Sequence, residues 1–417
     1  MTYNNVLPLT YGQEYEGERI RQDKLYLECG GTSSRMVEWF TTASTKDIQD
    51  GRIDVIGPDL KNTPEKSSLP LAIIIEVAGK NMQEDYEPVL EKQIHRIINR
   101  IQGVMHTGQR DMACLRISKA AVEQGFSLRN LGTILYRKLL DDFERILDKV
   151  QIKIYTEENK VTETIARAKQ VYLLRDVRNE GMTDEETDVF YSCIICQSFV
   201  PFHVCTISPE RSSPCGSYNW IACKASCDID PSGPNKPIPK GNPIDIRRGQ
   251  WHGINEFVKK ASQGKTDHYN LYSIMDKPMA TCEWVECISI VLPLCNGIMT
   301  VDKEYAGMTP SGMDFKTIID NIKGELDTPG FMGHSRYNIT QRKFISAEGG
   351  IKRIVWMPRR LKEEISGRFN VRAKEVDVPD LMERIADEST GTSEEAILPF
   401  LKARNHPALS MEHIIQL

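Results

Sequence analysis

Four cysteines crowded between residues 193 and 215 constrain this chain more than any other feature. In the run YSCIICQSFVPFHVCTISPERSSPCGSYNW the spacing is Cys193-x2-Cys196-x8-Cys205-x9-Cys215. Thiols clustered in one Pro- and Gly-punctuated segment point to a metal, and soft sulfur ligands select a [4Fe–4S] cluster or a structural zinc. Zinc ribbons usually pair two C-x2–4-C knuckles. Only the first pair is close here, so the spacing favours iron–sulfur, with zinc as the rival. Two weaker readings are four buried thiols that ligate nothing and a Cys205 nucleophile served by His203. His203 reads better as an orienting neighbour of a ligand or a packed residue.

The chain has 417 residues, 40% hydrophobic and 27% charged, enough for a full core and two or three domains. A formal net charge of -5 argues against nucleic-acid binding, which asks for a basic face. The longest apolar stretches, at 69–79 and 288–295, fall well short of the about 20 residues that span a bilayer. The N-terminus lacks a basic region followed by an apolar one, so no signal peptide and a cytoplasmic location are expected. Thiols stay reduced there, and the eleven cysteines read as ligands and buried thiols, not disulfides.

Pattern divides the chain near residue 185. Strand signals at 52–58, 69–79 and 149–156 interleave with helical periodicity at 87–105, 127–147 and 157–177. In the first of these helices Val89, Leu90, Ile94, Ile97, Ile98 and Ile101 supply the apolar face. The acidic stretch NEGMTDEETD (179–188) reads as a boundary. Residues 191–345 are dense in Cys, Gly, Pro and aromatics, as expected where loops wrap an inorganic site. DPSGPNKPIPKGNP (230–243) reads as an extended surface loop, and helical patterns return toward the C-terminus. The expected fold class is α+β with two domains: an α/β-layered domain at 1–185, then a loop-rich α+β metal-cluster domain at 186–417.

A second group of thiols lies in MATCEWVECISIVLPLCNGIMT (279–300). Cys287 and Cys295 read as incidental thiols on a buried strand. Across its length the chain resembles the acetyl-CoA synthase family, the nickel–iron–sulfur subunit of the Wood–Ljungdahl pathway of anaerobes, to which the archaeal decarbonylase β subunit is related. The strings that carry the resemblance include YLECGG, DVIGPD, QIHRIINRIQGVMHTGQRD, HVCTISPER, CGSYNW, EYAGMTPSGM and KFISAEGGIKRIVWMP. It implies an acyltransferase of one-carbon metabolism that joins a corrinoid-borne methyl group, CO and coenzyme A. The first domain would then be the one associated with coenzyme A. The family's N-terminal domain that docks on CO dehydrogenase is not seen, so a short form is expected.

Carried over by resemblance, Cys193, Cys196, Cys205 and Cys215 match the cluster ligands. Cys196 matches the thiolate that bridges the cluster to a nickel or other metal, and Phe199 matches the aromatic that shields it. The family then uses a Cys-Gly-Cys tripeptide to hold a second nickel in a square plane. Here it is Cys282-Glu283-Trp284. An indole offers only an N–H donor where a thiolate is needed, so Cys282 keeps its role while Glu283, Trp284 and Cys287 become an altered second-metal site. Cys114 stands where the family carries a tryptophan in the domain associated with coenzyme A. Besides the synthase itself, two readings stay open: a diverged paralogue doing a different methyl- or acyl-transfer, and a non-enzymatic iron–sulfur partner protein.

Overall fold

The computed structural model describes residues 8–12, 19–31, 33–198, 200–279 and 284–415, apart from the side chain of Ser198. The fold is a mixed α+β arrangement with several sheets, divided into two units, Met1–Arg175 and Asp176–Leu417. The acidic stretch 179–188 falls inside the second unit.

In the first unit, β-branched runs form β1 (Leu25–Gly30), β2 (Met36–Thr42), β3 (Ile53–Ile56), β4 (Ser67–Leu69), β5 (Leu71–Ala78), β6 (Val104–Thr107), β7 (Cys114–Ser118) and β8 (Lys149–Tyr155). They build two four-stranded sheets, ordered β4-β1-β7-β6 and β2-β5-β8-β3. β5 is apolar at almost every position because both of its faces are covered. Ile73, Ile75 and Val77 enter the core shared with Leu131 and Leu135 of the helix Leu128–Asp142. Ala72 and Ile74 face Val161, Ala168 and Tyr172 of the helix Glu158–Val177. Ser127 starts the first of these helices with a reciprocal capping box to Asn130.

The helix expected over 87–105 is broken into Glu87–Glu91 and Gln93–Ile98, and its end is strand β6. All six apolar positions are buried, as the periodicity requires. The chain turns at Gly103, where φ is +72° and a β-carbon would come within 2.5 Å of Ser118 Oγ, so no helix passes through it. Glu87 and Glu91 are buried because they serve other groups. They accept the backbone N–H of Thr42 and Phe40 at 2.7 and 3.1 Å, and the Arg175 guanidinium bridges them at 3.1 and 2.9 Å.

In the second unit, β9 (Val189–Cys193) lies between β10 (Cys205–Ile207) and β11 (Asn235–Pro239). β11 corrects the expectation of a surface loop at 230–243. Five of those residues pair in antiparallel register with β9, from Asn235 opposite Cys193 to Pro239 opposite Val189. Proline tolerates this only at a sheet edge, with its missing N–H turned away from the ladder. β12 (Pro243–Asp245) and β13 (Gln250–Trp251) form a small hairpin. β14 (Cys287–Leu292), β15 (Gly297–Asp302), β16 (Phe331–His334) and β17 (Ile354–Trp356) form the sheet β16-β14-β15-β17. The C-terminal helices cover it. Leu361, Ile365 and Phe369 of Arg359–Glu375 pack with Ile298 and Ile354, and Ile397 and Leu401 of Glu394–Ala403 pack with Met299 and Trp356. Among the described residues no helix is long and apolar enough to cross a membrane.

Candidate metal centre

Strand register assembles the first two thiols. Cys193, at the end of β9, sits opposite Cys205 at the start of β10. Directly opposed residues share a face, with β-carbons about 4.5–5.5 Å apart, so both sulfurs leave the sheet together. Beyond β9 a 3-10 turn, Ile195–Ser198, carries Cys196, half-buried against the core that includes Val200, Val285 and Trp284. The chain returns through Phe202 at φ +69°. His203 is fully buried with Nε2 3.0 Å from Cys205 Sγ. Burial pulls its pKa down to about 4, so the ring is neutral at physiological pH. Its Nδ1 has no hydrogen-bond partner among the described residues.

The loop carrying Cys215 is tied down at each step. Ser208 and Arg211 exchange backbone hydrogen bonds of 3.0 and 3.2 Å. Ser212 donates its N–H to Asn338 Oδ1 at 3.1 Å and accepts Asn338 Nδ2 at its carbonyl at 3.1 Å. Ser213 Oγ accepts the N–H of Tyr218 at 2.9 Å and lies 3.4 Å from Cys215 Sγ. Gly216 adopts φ +67°, and a β-carbon there would come within 2.5 Å of the buried Glu286 carboxylate. Glu286 in turn donates its N–H to Pro214 O at 3.0 Å and accepts the N–H of Arg336 at 2.9 Å. The Cys215 loop is thereby fastened to the segment that follows residue 283. Burial, and after it the Cys193 and Cys223 thiols and then Cys215, pushes the Tyr218 phenol well up, so thiols from three segments share its surroundings.

Phe199, Cys282 and Glu283 lie outside the described residues. The flanks of 280–283 are described. On one side Met279 Sδ accepts the backbone N–H of Thr206 at 3.2 Å and Nη1–H of Arg211 at 3.1 Å. On the other, Trp284 is half-buried in the apolar core, and its indole N–H is buried with no acceptor among the described residues. A donor that finds no acceptor cannot stand in for a thiolate ligand. Cys287 is fully buried in β14, opposite Asp302 and His334, and burial ahead of the Asp302 charge pushes its thiol well up. In the first unit Cys114 lies on β7, its thiol pushed up to about 11, chiefly by burial.

Among the described residues, no three His, Cys, Asp or Glu side chains converge closely enough to hold one metal ion. A single tetrahedral zinc needs its sulfurs about 3.8 Å apart, from a Zn–S bond of about 2.3 Å. A cluster spreads its thiolates over separate irons and needs no such convergence. Four thiols are the soft donor set that an iron–sulfur cluster takes. Sequence reasoning passed over Arg211, Tyr218, Glu286 and Asn338. Arg211 and Tyr218 stand in the strings HVCTISPER and CGSYNW, whereas Glu286 and Asn338 carry no local signal.

Residues 172–415 match the family model for the C-terminal part of the ACS/CODH beta subunit, and residues 7–161 match that of the CO dehydrogenase/acetyl-CoA synthase complex beta subunit. Over 410 residues the chain is 46% identical to the carbon monoxide dehydrogenase/acetyl-CoA synthase subunit alpha of Moorella thermoacetica, covering 98% of this chain and 56% of that protein. It is 38% identical over 409 residues to the acetyl-CoA decarbonylase/synthase complex subunit beta of Methanopyrus kandleri, covering 98% and 86%. The chain thus spans little more than half of the Moorella protein and most of the archaeal one. A solved C-terminal domain of an acetyl-CoA synthase alpha subunit matches at 48% identity, covering 32% of this chain and 100% of that chain, with a TM-score of 0.31.

Proposed function

Since the chain belongs to the CO dehydrogenase/acetyl-CoA synthase beta-subunit family, we propose that it is an acetyl-CoA synthase-like metalloprotein acting on C1 and acyl groups at a [4Fe–4S]-linked metal site. The family's enzymes are nickel–iron–sulfur proteins of the Wood–Ljungdahl pathway. In this reading Cys193, Cys196, Cys205 and Cys215 hold the cluster, Cys196 and Cys282 reach a further metal, and Phe199 shields it. The second unit is the cluster-binding domain, and the first is the one associated with coenzyme A. The chain works in the cytoplasm with a corrinoid iron–sulfur protein or other methyl-corrinoid protein as its partner. A nickel tethered by thiolates to such a cluster supplies an electron-rich centre for CO and methyl groups.

The observation that carries the reading is the opposition of Cys193 and Cys205 in register, together with the fastening of the Cys215 loop to the segment beyond residue 283. In support, β9 and β10 carry two of the thiols in opposed register, and Met279 and Glu286, on either side of residues 280–283, are hydrogen-bonded to Thr206 and Pro214. His203 lies against Cys205, where an Nε2–H donor would stabilise a thiolate and leave only a bare Nδ1 lone pair buried. Apolar side chains, among them Val200, Val285 and Trp284, pack against the half-buried Cys196.

A second reading, the diverged paralogue, is favoured by Trp284. Its buried indole N–H, with no acceptor among the described residues, occupies the third tripeptide position, so a square-planar second nickel lacks one donor unless Glu283 or Cys287 supplies it. Anaerobic purification followed by metal analysis, EPR of the reduced protein and CO exchange with the acetyl-CoA carbonyl separates these readings. The expected result is about four irons and four sulfides per chain, fewer than about two nickels, and exchange far slower than in a relative with Cys-Gly-Cys. One tightly bound zinc with no iron removes the cluster. Full synthase activity with a methyl-corrinoid donor removes the divergence, and a cluster with neither nickel nor any transfer activity leaves a non-enzymatic partner protein.

A further inference from the structure

Arg211 is a buried cation that no carboxylate balances. It is 3% exposed, and among the described residues no Asp or Glu pairs with it. Its Nε–H donates to the Leu271 carbonyl at 3.1 Å and its Nη1–H to Met279 Sδ at 3.1 Å, both uncharged acceptors. The remaining Nη2 has no partner among the described residues. A cavity of about 10 Å³, lined by Arg211, Leu271, Tyr272, Met332, His334 and Asn338 among others, has room for one water. Water would satisfy the third arm and leave the charge uncompensated. Two acids lie in its wider surroundings: Asp184 is engaged by the Tyr272 hydroxyl and lies 3.8 Å from Lys343 Nζ, and Glu210, which lines the same cavity, pairs with Lys343 Nζ at 2.7 Å.

An isolated ion in the apolar interior is expensive, and buried charges are found paired or at metal sites. What lies next to Arg211 is Cys205. The paired backbone hydrogen bonds between Ser208 and Arg211 turn the chain back along β10. Met279 Sδ accepts both Arg211 Nη1–H and the N–H of Thr206, the residue after Cys205. Burial lowers the Arg211 pKa from its ordinary value, and the largest opposing influence is the Cys205 thiol. A thiolate-ligated cluster would place the missing negative charge at this point.

We propose that Arg211 is the fixed counter-charge of the cluster, a positioning residue that stabilises its reduced, more negative state and so raises its reduction potential. The proposal rests on the iron–sulfur reading above. It predicts that charge, not shape, is what the site requires. Its test compares Arg211→Gln and Arg211→Lys with the parent protein, all purified without oxygen, by iron and sulfide content and by an EPR-monitored redox titration of the cluster.

Arg211→Gln should keep its iron while its reduction constant falls at least tenfold, a shift of about 59 mV to more negative potential for one electron. Arg211→Lys should stay within about threefold of the parent. If Arg211→Gln loses the cluster while Arg211→Lys retains it at the parental potential, the charge requirement is also upheld. An unchanged potential in Arg211→Gln, equal shifts in both variants, or loss of the cluster from both would overturn the proposal, because packing or hydrogen-bond shape would then be what matters. A parent protein without iron would instead overturn the iron–sulfur reading beneath it.

Discussion

Gly216→Ala tests how the Cys215 loop is held. At φ +67° an alanine costs about 1–2 kcal/mol for the left-handed backbone. Its β-carbon would also stand 2.5 Å from the Glu286 carboxyl group. Glu286 has nowhere to retreat, because its oxygen accepts Arg336 N–H at 2.9 Å and its own N–H is bonded to Pro214 O at 3.0 Å. Losing a hydrogen bond to a buried charged acceptor costs about 1.5–3 kcal/mol. The combined loss is about 2.5–5 kcal/mol of the second unit's stability. Four of the five tryptophans (Trp220, Trp251, Trp284 and Trp356) belong to that unit, so fluorescence-detected urea unfolding reports on it. The midpoint should fall by about 1 M or more with little change in slope. Gly216→Asn, which relaxes the backbone penalty but keeps the β-carbon, should recover only a small part. Gly216→Ala combined with Glu286→Ala should show strong coupling. A Gly216→Ala protein within about 0.5 kcal/mol of the parent would mean that the clamp does not hold the loop.

Cys205→Ala should abolish the brown colour and the iron content of anaerobically purified protein, and proteolysis should open residues 190–220; retention of a full iron complement would remove Cys205 from the ligand set. Burial pushes Asp184 up to about 6, with Lys343 opposing and Glu210 reinforcing the shift. Because the folded value exceeds the unfolded one, its contribution is fully present below about pH 4 and lost as pH rises to about 6, on the order of 2–3 kcal/mol. Unfolding titrations of Asp184→Asn should lack that slope, and an identical slope in variant and parent would refute the assignment. Glu283→Gly combined with Trp284→Cys should raise nickel uptake after anaerobic reconstitution; unchanged uptake would show that the tripeptide is not what limits the second metal.

Sequence alone revealed what depends on near neighbours. The cysteine spacing, the helices at 127–147 and 157–177 and the apolar strand at 69–79 are periodic over short windows, so their elements could be read directly. The interrupted helix at 87–105 could not, because the apolar pattern runs on past the breaks at Lys92 and Ile98 and through Gly103, where the chain turns at φ +72°. β11 was missed because proline-rich segments read as loops unless their partner strand is known. Glu286 and Asn338 were invisible for a related reason. Asn338 meets Ser212 across 126 residues, and no local pattern encodes a contact of that range. The tripeptide's departure from Cys-Gly-Cys was plain in the letters, but the burial of the Trp284 indole N–H, away from any acceptor among the described residues, is a fact of packing.

The sheet that presents Cys193 and Cys205 has only three strands, and both of its borders are blunted. On β11, Pro237 and Pro239 remove the outward N–H groups that another strand would need. On β10, the outward N–H of Thr206 is already engaged by Met279 Sδ. The sheet that carries Cys193 and Cys205 therefore offers little template for intermolecular strand pairing at either border. Under the proposed cluster reading, that same blunting guards the cysteine sheet against self-association before any metal is inserted.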